Sequence, residues 1–384
     1  MEKYCIFSAQ YLPAIGGVEQ YTENLANCLI ERGHEVIIVT ARKKNTKIRE
    51  RKKNGLLIYR VPTFQLIKGR MPITYYSVAW KKLKEILKKK NVTRVIVQTR
   101  LYTLSIMGLK YAKENHIPAI VIEHGTSYVG MSNKFLQFFE IMYERALLFW
   151  ARRYCQTFCA VSKEGGKWLN TLGIKCARIL YNSVDEKKIE QYLKTEKSNE
   201  ILGNYLFLKK ISVVFVGRLI KEKGLIQLVQ AVEELNSEGM DVELRIIGDG
   251  PLYKVIEVRS AANVVLFGRL QQSEVMNVLK NSDIFCLPSD SEGFPTSVLE
   301  AILCGTYVIT APYGGAKEII SSKEYGDVML DNTSKSIKNS IKNAVLLGEK
   351  RHIIEKNAYR RFMRSFTWDK TCDALEALQW EATE

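Results

Sequence analysis

Two carboxylates frame the stretch PSDSEGFPTSVLEAILCG, residues 288–305: Glu292 stands ahead of a Gly-Phe-Pro turn and Glu300 eight positions later. DIFCLPS, just upstream, reads as a strand and DSEGF as the loop that trails it. Pro295 fits the first turn of a helix, where its missing N–H costs nothing. Val298, Leu299, Ile302 and Leu303 form the apolar face of that helix, and Gly305 suits its end. Glu300 then lies about one turn inside, its side chain directed back toward the N-terminus. A carboxylate accepts hydrogen bonds from vicinal hydroxyls, so Glu300 could hold a ribose. Glu292 on the loop could reach another part of the same extended ligand. The backbone between Gly293, Phe294, Pro295 and Thr296 offers N–H donors to sugar hydroxyls or phosphate. An ordinary helix start, where the dipole favours acids, would also account for Glu292.

Cations stand after another strand. ISVVFVG is followed by RLIKEKG, so Arg218 leaves the strand end and Lys223 precedes a helix beginning near Gly224. Two cations beside a helix N-terminus suit a diphosphate. The dipole contributes roughly 0.3–1 kcal/mol at an exposed site, and each charge-assisted hydrogen bond roughly 1.5–3 kcal/mol. Two solvated surface charges would look the same. Gly16 and Gly17, in AIGGVEQ, let a backbone approach a ligand closely at the start of a helix near Val18. The third glycine of a dinucleotide fingerprint is missing. His124, in VIEHGT, lies at a strand's carboxyl end, as a structural hydrogen-bonder, an acid/base group or a substrate contact. His34, His116 and His352 read as surface residues.

These positions share an arrangement. Short apolar strands alternate with helix-length amphipathic segments: residues 4–9, 34–40, 92–99, 118–124 and 157–162 in one series, then 211–217, 242–248, 264–268, 283–289 and 306–311 in another. Continuous apolar runs mark strands buried on both faces. Two such series predict two doubly wound parallel sheets. Ligands bind outside the carboxyl ends of such strands, where the candidate residues stand, and two facing sheets would make a cleft. The polar stretch after Asp185, EKKIEQYLKTEKSNEILGN, reads as a linker into the second half, and SFTWDKTCDALEALQW as a final amphipathic helix.

The 384 residues allow two cores, and 46% hydrophobic content without low-complexity tracts marks a globular protein. The start reads as a strand rather than a signal peptide, and no run of 18 apolar residues predicts a spanning helix. Eight cysteines sit in apolar segments without metal-ligand spacing, as reduced thiols of a cytosolic protein would. The net charge of +16 is uneven: residues 1–190 hold 33 Lys and Arg against 15 Asp and Glu, while the rest is nearly neutral. RKKNTKIRERKKNG (42–55), the basic helix KKLKEILKKK (81–90) and the bulky apolar KFLQFFEIMYERALLFWARR (134–153) suggest docking on anionic lipid. A solvated basic face with a buried helix is the plainer alternative. A nucleic-acid-binding protein would explain the basic runs but leaves the strand-end residues idle, and no nucleic-acid module is visible.

With these motifs the chain resembles a family-4 glycosyltransferase of the retaining GT-B type. The likeness is carried by GGVEQYTENLANCLIERGHEVIIVT (16–40), EHG (123–125), VSKEGGKWL (161–169), YNSVD (181–185), VGRLIKEKG (216–224), IIGDGP (246–251), SEGFPTSVLEAILCG (291–305), GGAKEII (314–320) and FTWDK. Ser183 stands where that pattern often has glycine, and Tyr307 where proline is frequent.

The resemblance implies a GT-B fold of two facing Rossmann-like domains. Residues 1–188 would bind acceptor, 189–365 would bind nucleotide sugar, and 366–384 would be a helix crossing back to the N-terminal domain. It implies that Arg218 and Lys223 bind the donor diphosphate with help from Gly16 and Gly17. Glu300 would bind the ribose, Glu292 with Gly293, Phe294 and Pro295 the transferred sugar, and Arg269 and Leu270 would lie near the base. His124 would sit near the reaction centre. The function implied is retaining transfer of a hexose or N-acetylhexosamine from a nucleotide sugar, UDP rather than GDP, without metal or cofactor. The acceptor would be a lipid-linked glycan or polysaccharide, as in lipopolysaccharide or capsule biosynthesis. The place would be the inner face of the plasma membrane, held peripherally, with no nucleic-acid partner. A nucleotide-sugar epimerase of similar fold and a metal-dependent GT-A enzyme are the competing enzyme readings.

Overall fold

In a computed structural model, residues 1–14, 16–65, 72–128, 134–194, 210–259 and 263–380 are described. The chain divides into two units, Met1–Asn182 with Trp368–Glu384, and Ser183–Thr367.

The first unit runs β1 (Lys3–Ser8), α1 (Gly17–Glu31), β2 (Glu35–Ala41), β3 (Arg49–Arg51), β4 (Leu57–Val61), β5 (Thr63–Gln65), β6 (Pro72–Thr74), α2 (Val78–Lys89), β7 (Arg94–Gln98), α3 (Thr103–Glu114), β8 (Ala119–Glu123), α4 (Lys134–Tyr154), β9 (Thr157–Ala160), α5 (Lys163–Thr171) and β10 (Cys176–Ile179). Its main sheet has the order β10-β9-β8-β7-β1-β2-β4-β3, parallel except where β3 meets β4. The apolar runs become strands because both faces are covered: Tyr4–Ser8 and Val36–Ala41 are buried throughout. Part of the basic run 42–55 forms β3, the edge of this sheet, where charged side chains discourage further strand pairing.

The second unit runs α6 (Glu186–Lys194), β11 (Ile211–Val216), α7 (Leu225–Ser237), β12 (Val242–Ile247), α8 (Tyr253–Arg259), β13 (Val264–Gly268), α9 (Gln272–Lys280), β14 (Ile284–Leu287), α10 (Thr296–Leu303), β15 (Tyr307–Thr310), α11 (Ala316–Ile319), β16 (Asp327–Val328), α12 (Ser334–Leu346) and α13 (Lys350–Ser365). Its six strands are all parallel in the order β13-β12-β11-β14-β15-β16. The two doubly wound sheets expected from the alternation are therefore present. The expected linker differs: its first nine residues form α6, because Ile189 recurs at helical spacing with Tyr192 and Leu193 and is buried. Residues 195–204 of that stretch lie outside the described residues. Ser183, in place of a glycine, donates its hydroxyl to the Phe366 carbonyl, which uses the side chain rather than straining the turn.

The last helix, α14 (Trp368–Glu376), belongs to the first unit and packs on α1. Trp368 meets the Tyr21 ring edge-on at 5.1 Å, and Thr371 donates to the Tyr181 carbonyl at 2.8 Å. Arg32, at the end of α1, pairs with Asp373 at 2.8 Å and Glu376 at 2.9 Å.

Candidate active site

Each sheet reverses its strand order at one point. In the second unit this lies between β11 and β14, whose Val213 and Ile284 are in register. A ligand crevice is expected outside the carboxyl ends of these two strands. There the structure brings together the loops carrying Lys223 and Glu292. The Lys223 ammonium contacts the Glu292 carboxylate directly, and Ser289 Oγ donates to the same Oε1 at 2.7 Å. Asp290 N donates to the Glu222 carbonyl at 2.9 Å, tying one loop to the other. Arg218 is exposed on the same loop as Lys223 and pairs with no described carboxylate.

Close backbone packing sets this geometry, and glycine permits it. Gly224 has φ +66°, and a Cβ there would lie 2.1 Å from the Pro288 carbonyl oxygen. Gly314, at φ +64°, would place a Cβ 1.9 Å from the Glu292 carbonyl oxygen, and Gly315 N donates to that oxygen at 3.2 Å. The Glu292 loop is thus wedged between two glycine-bearing loops.

Helix α10 leads away from Glu292. Pro295 caps it from just outside (φ −77°, ψ 113°) and Thr296 is its first residue, one position later than the sequence suggests. No side chain caps this end, so its N–H groups remain for a ligand. Phe294 is buried, its ring 5.6 Å from that of Phe366, which anchors the loop to the core of the unit. Glu300 is half-buried; burial pushes its carboxyl up to about 7, against a hydrogen bond from Gln272 that lowers it. Gln272 opens α9, so the loop with Arg269 and Leu270 runs directly into the residue that touches Glu300.

In the first unit the reversal lies between β1 and β7. Gln98 ends β7 and His124 follows β8. His124 Nε2 lies 2.6 Å from Gln98 Oε1, and its ring meets Tyr21 edge-on at 4.8 Å. Burial lowers the His124 pKa to about 3, so the ring is neutral, donating from Nε2 and leaving Nδ1 as an acceptor. Beneath it, one Glu123 oxygen accepts from the backbone N–H of His124 and of Gly125, both at 3.1 Å, and the other meets Arg100. Arg100, 1% exposed, also binds Glu144 of α4 at 2.9 Å. Two buried carboxylates thus share one guanidinium directly under the His124 loop.

The start of α1 holds an acid of its own. Glu19, 6% exposed, folds back so that a Cβ on Gly16 would lie 2.5 Å from its Oε2, whereas Gly17 has open space around it. Of the two glycines, Gly17 is the one open to a ligand.

Gln98, Arg100, Glu123, Glu144 and Glu19 are not singled out by sequence reasoning. A signal exists for two of them: Glu123 immediately precedes His124, and Arg100 follows the strand VIVQT. That Glu144, on a later helix, would meet Arg100 is visible only in three dimensions.

Comparison with known proteins bears on the fold and the family. The family model for glycosyltransferase family 4 matches residues 15–188, and that for glycosyl transferases group 1 matches residues 186–361. An uncharacterized glycosyltransferase of Methanocaldococcus jannaschii is 25% identical over 380 residues, which are 96% of each chain. A human phosphatidylinositol N-acetylglucosaminyltransferase chain is 25% identical over 378 residues, 97% of this chain and 74% of that one. In fold, the crystal structure of Anabaena HepE in complex with UDP matches with a TM-score of 0.76 at 17% identity, over 98% of this chain and 100% of that one. Two family models laid end to end over two reversing parallel sheets, with a last helix returning to the first, make this chain a GT-B-fold glycosyltransferase related to the glycosyltransferase family 4 and glycosyl transferases group 1 families.

Proposed function

We propose that the chain moves a hexose or N-acetylhexosamine from a nucleotide sugar, a UDP-sugar rather than a GDP-sugar, to a lipid-linked glycan or polysaccharide, with retention at the anomeric carbon. The observation that carries this reading is the meeting of Lys223 and Glu292 at the β11–β14 reversal, with the exposed Arg218 on the same loop as Lys223. In this reading residues 189–365 hold the donor, residues 1–188 the acceptor, and residues 366–384 close the first domain.

Arg218 and Lys223 bind the diphosphate and stabilise the charge that develops on it as the glycosidic bond breaks. Glu300 accepts hydrogen bonds from the ribose hydroxyls, and Arg269 and Leu270 lie against the base. Glu292 and the N–H groups of Gly293, Phe294 and Thr296 bind the sugar. The acceptor oxygen attacks the anomeric carbon from the face the diphosphate leaves, and its proton passes to the departing phosphate oxygen. The neutral His124, with Nδ1 as acceptor, orients a sugar hydroxyl near that carbon. The cations take the charge in this scheme, so transfer persists in chelator. A lipid acceptor is supported by the phosphatidylinositol for which the human relative is named, and a place against an anionic membrane face by the positive surplus of the first half.

Mass spectrometry of products from a panel of nucleotide sugars with a lipid-linked acceptor tests the reading. Transfer in the presence of chelator, largely abolished by Arg218→Ala, Lys223→Ala or Glu300→Ala, is expected. Wild-type rates in all three variants, or isomerised donor without acceptor, would overturn it.

A further inference from the structure

Helix α4 is amphipathic with its apolar side outward. Phe135, Phe138, Phe139, Met142, Phe149 and Trp150 are 44% to 69% exposed, and Phe135, Phe138, Met142 and Phe149 recur at helical spacing. The opposite side is fastened inward: Glu144 binds the buried Arg100 at 2.9 Å, and Leu147, Leu148 and Ala151 are buried. A turn of the helix about its axis would break that ion pair, so the aromatic stripe cannot be hidden by rotation. The rings already touch along it, Phe135 to Phe139 at 4.9 Å and Phe149 to Trp150 at 5.6 Å. Arg145, Arg152 and Arg153 are exposed among them, whereas Glu144 is buried and Glu140 half-buried.

This combination selects its occupant. Exposed apolar stripes of this extent mark a docking surface. A second copy of the chain would bring its own arginines and its own positive surplus against these, which like-charge repulsion opposes. An anionic bilayer offers both an apolar layer for the rings and phosphates for the guanidinium groups. No described helix is long and apolar enough to cross a membrane. At 21 residues, α4 is about 32 Å long and can lie flat in the headgroup layer.

We propose that the outer face of α4 is the element that seats this protein in an anionic membrane, with Phe138, Phe139, Phe149 and Trp150 entering the boundary between headgroups and acyl chains. The inference deepens the membrane-acceptor reading above and rests on it.

Trp150 supplies the probe. The full-length protein is titrated with vesicles of phosphatidylcholine and phosphatidylglycerol, and with phosphatidylcholine alone. A blue shift of tryptophan emission with the anionic vesicles, quenched by brominated acyl chains and lost in Trp150→Phe, is expected. The triple variant Phe138→Ser, Phe139→Ser, Phe149→Ser should weaken partitioning by at least about tenfold while keeping wild-type circular dichroism and Tm. Equal partitioning of the triple variant with unchanged Trp150 emission overturns the proposal and leaves membrane docking by basic residues standing. Absence of any vesicle binding removes both, while product formation on a water-soluble acceptor reports on the transferase reading separately. A wild-type dimer that the triple variant dissociates in sedimentation velocity would assign the stripe to self-association and also overturn it.

Discussion

Lys223 and Glu292, 69 residues apart in sequence, form an ion pair across two loops, with Ser289 as a third member. The carboxylate holds the ammonium in place before any ligand arrives and partly offsets the positive charge a diphosphate would meet. Lys223→Met should weaken nucleoside diphosphate binding about tenfold to a hundredfold, the value of one charge-assisted hydrogen bond. Glu292→Gln should leave that binding unchanged or tighter while lowering kcat. Calorimetric titration of both variants and the double variant checks this; strict additivity would mean that the two side chains do not act as a unit.

Glu300 should make nucleotide binding depend on pH. Its carboxyl is raised to about 7 from an ordinary value of 4.5. The neutral form is favoured in the folded chain, so its contribution to stability is complete below about pH 4.5 and is lost as pH rises through 7. A ribose held by two hydrogen bonds favours the ionised form, so affinity should rise across the same interval. Nucleoside diphosphate affinity in the wild type, divided by that of Glu300→Gln at each pH, should increase between pH 5 and 8. A flat ratio would remove Glu300 from the ribose.

His124 should stay neutral through the physiological range. Its pKa is lowered by burial to about 3, below the unfolded value of about 6.5. The stability it contributes is present above pH 6.5 and is lost as pH falls toward 3. Nitrogen chemical shifts of the ring should therefore not move between pH 8 and 5. Gln98→Ala, which removes the Nε2 partner, should lower kcat more than it raises KM; a pure loss of stability would leave both unchanged in the folded fraction.

Gly314→Ala tests the wedge that holds Glu292. The new Cβ would overlap the Glu292 carbonyl and occupy a left-handed conformation, so roughly 1–3 kcal/mol of stability should be lost. Denaturant midpoints measure that loss. Nucleotide affinity should fall as well, because the loop must move. The control Gly17→Ala, with open space around it, should not change the midpoint appreciably.

The fold is legible in the sequence because each strand is a continuous apolar run and each strand end carries its polar residues in order. Glu292, Glu300, Arg218 and His124 stand out as candidates from position alone. What stays hidden depends on burial and on distant pairing. The linker expected after Asp185 is partly a helix, because one buried isoleucine outweighs its charged neighbours. The basic run at 42–55 contributes a sheet edge, so some of its charge serves the fold. Glu19 looks in sequence like a mere neighbour of a glycine pair, although its carboxylate lies over Gly16. Arg100 gives no sign in sequence that two acids from different elements will share it.

The return of α14 to the first unit has a practical corollary for dissecting this enzyme. Residues 183–367 form an uninterrupted piece that can be cloned by itself. The other unit cannot be obtained by stopping translation at its C-terminal border. A fragment ending at Asn182 would leave Tyr21 and Cys28 without Trp368, and Arg32 without its three acids. Joining 1–182 to 368–384 through a short glycine-serine bridge would give the N-terminal half its missing wall.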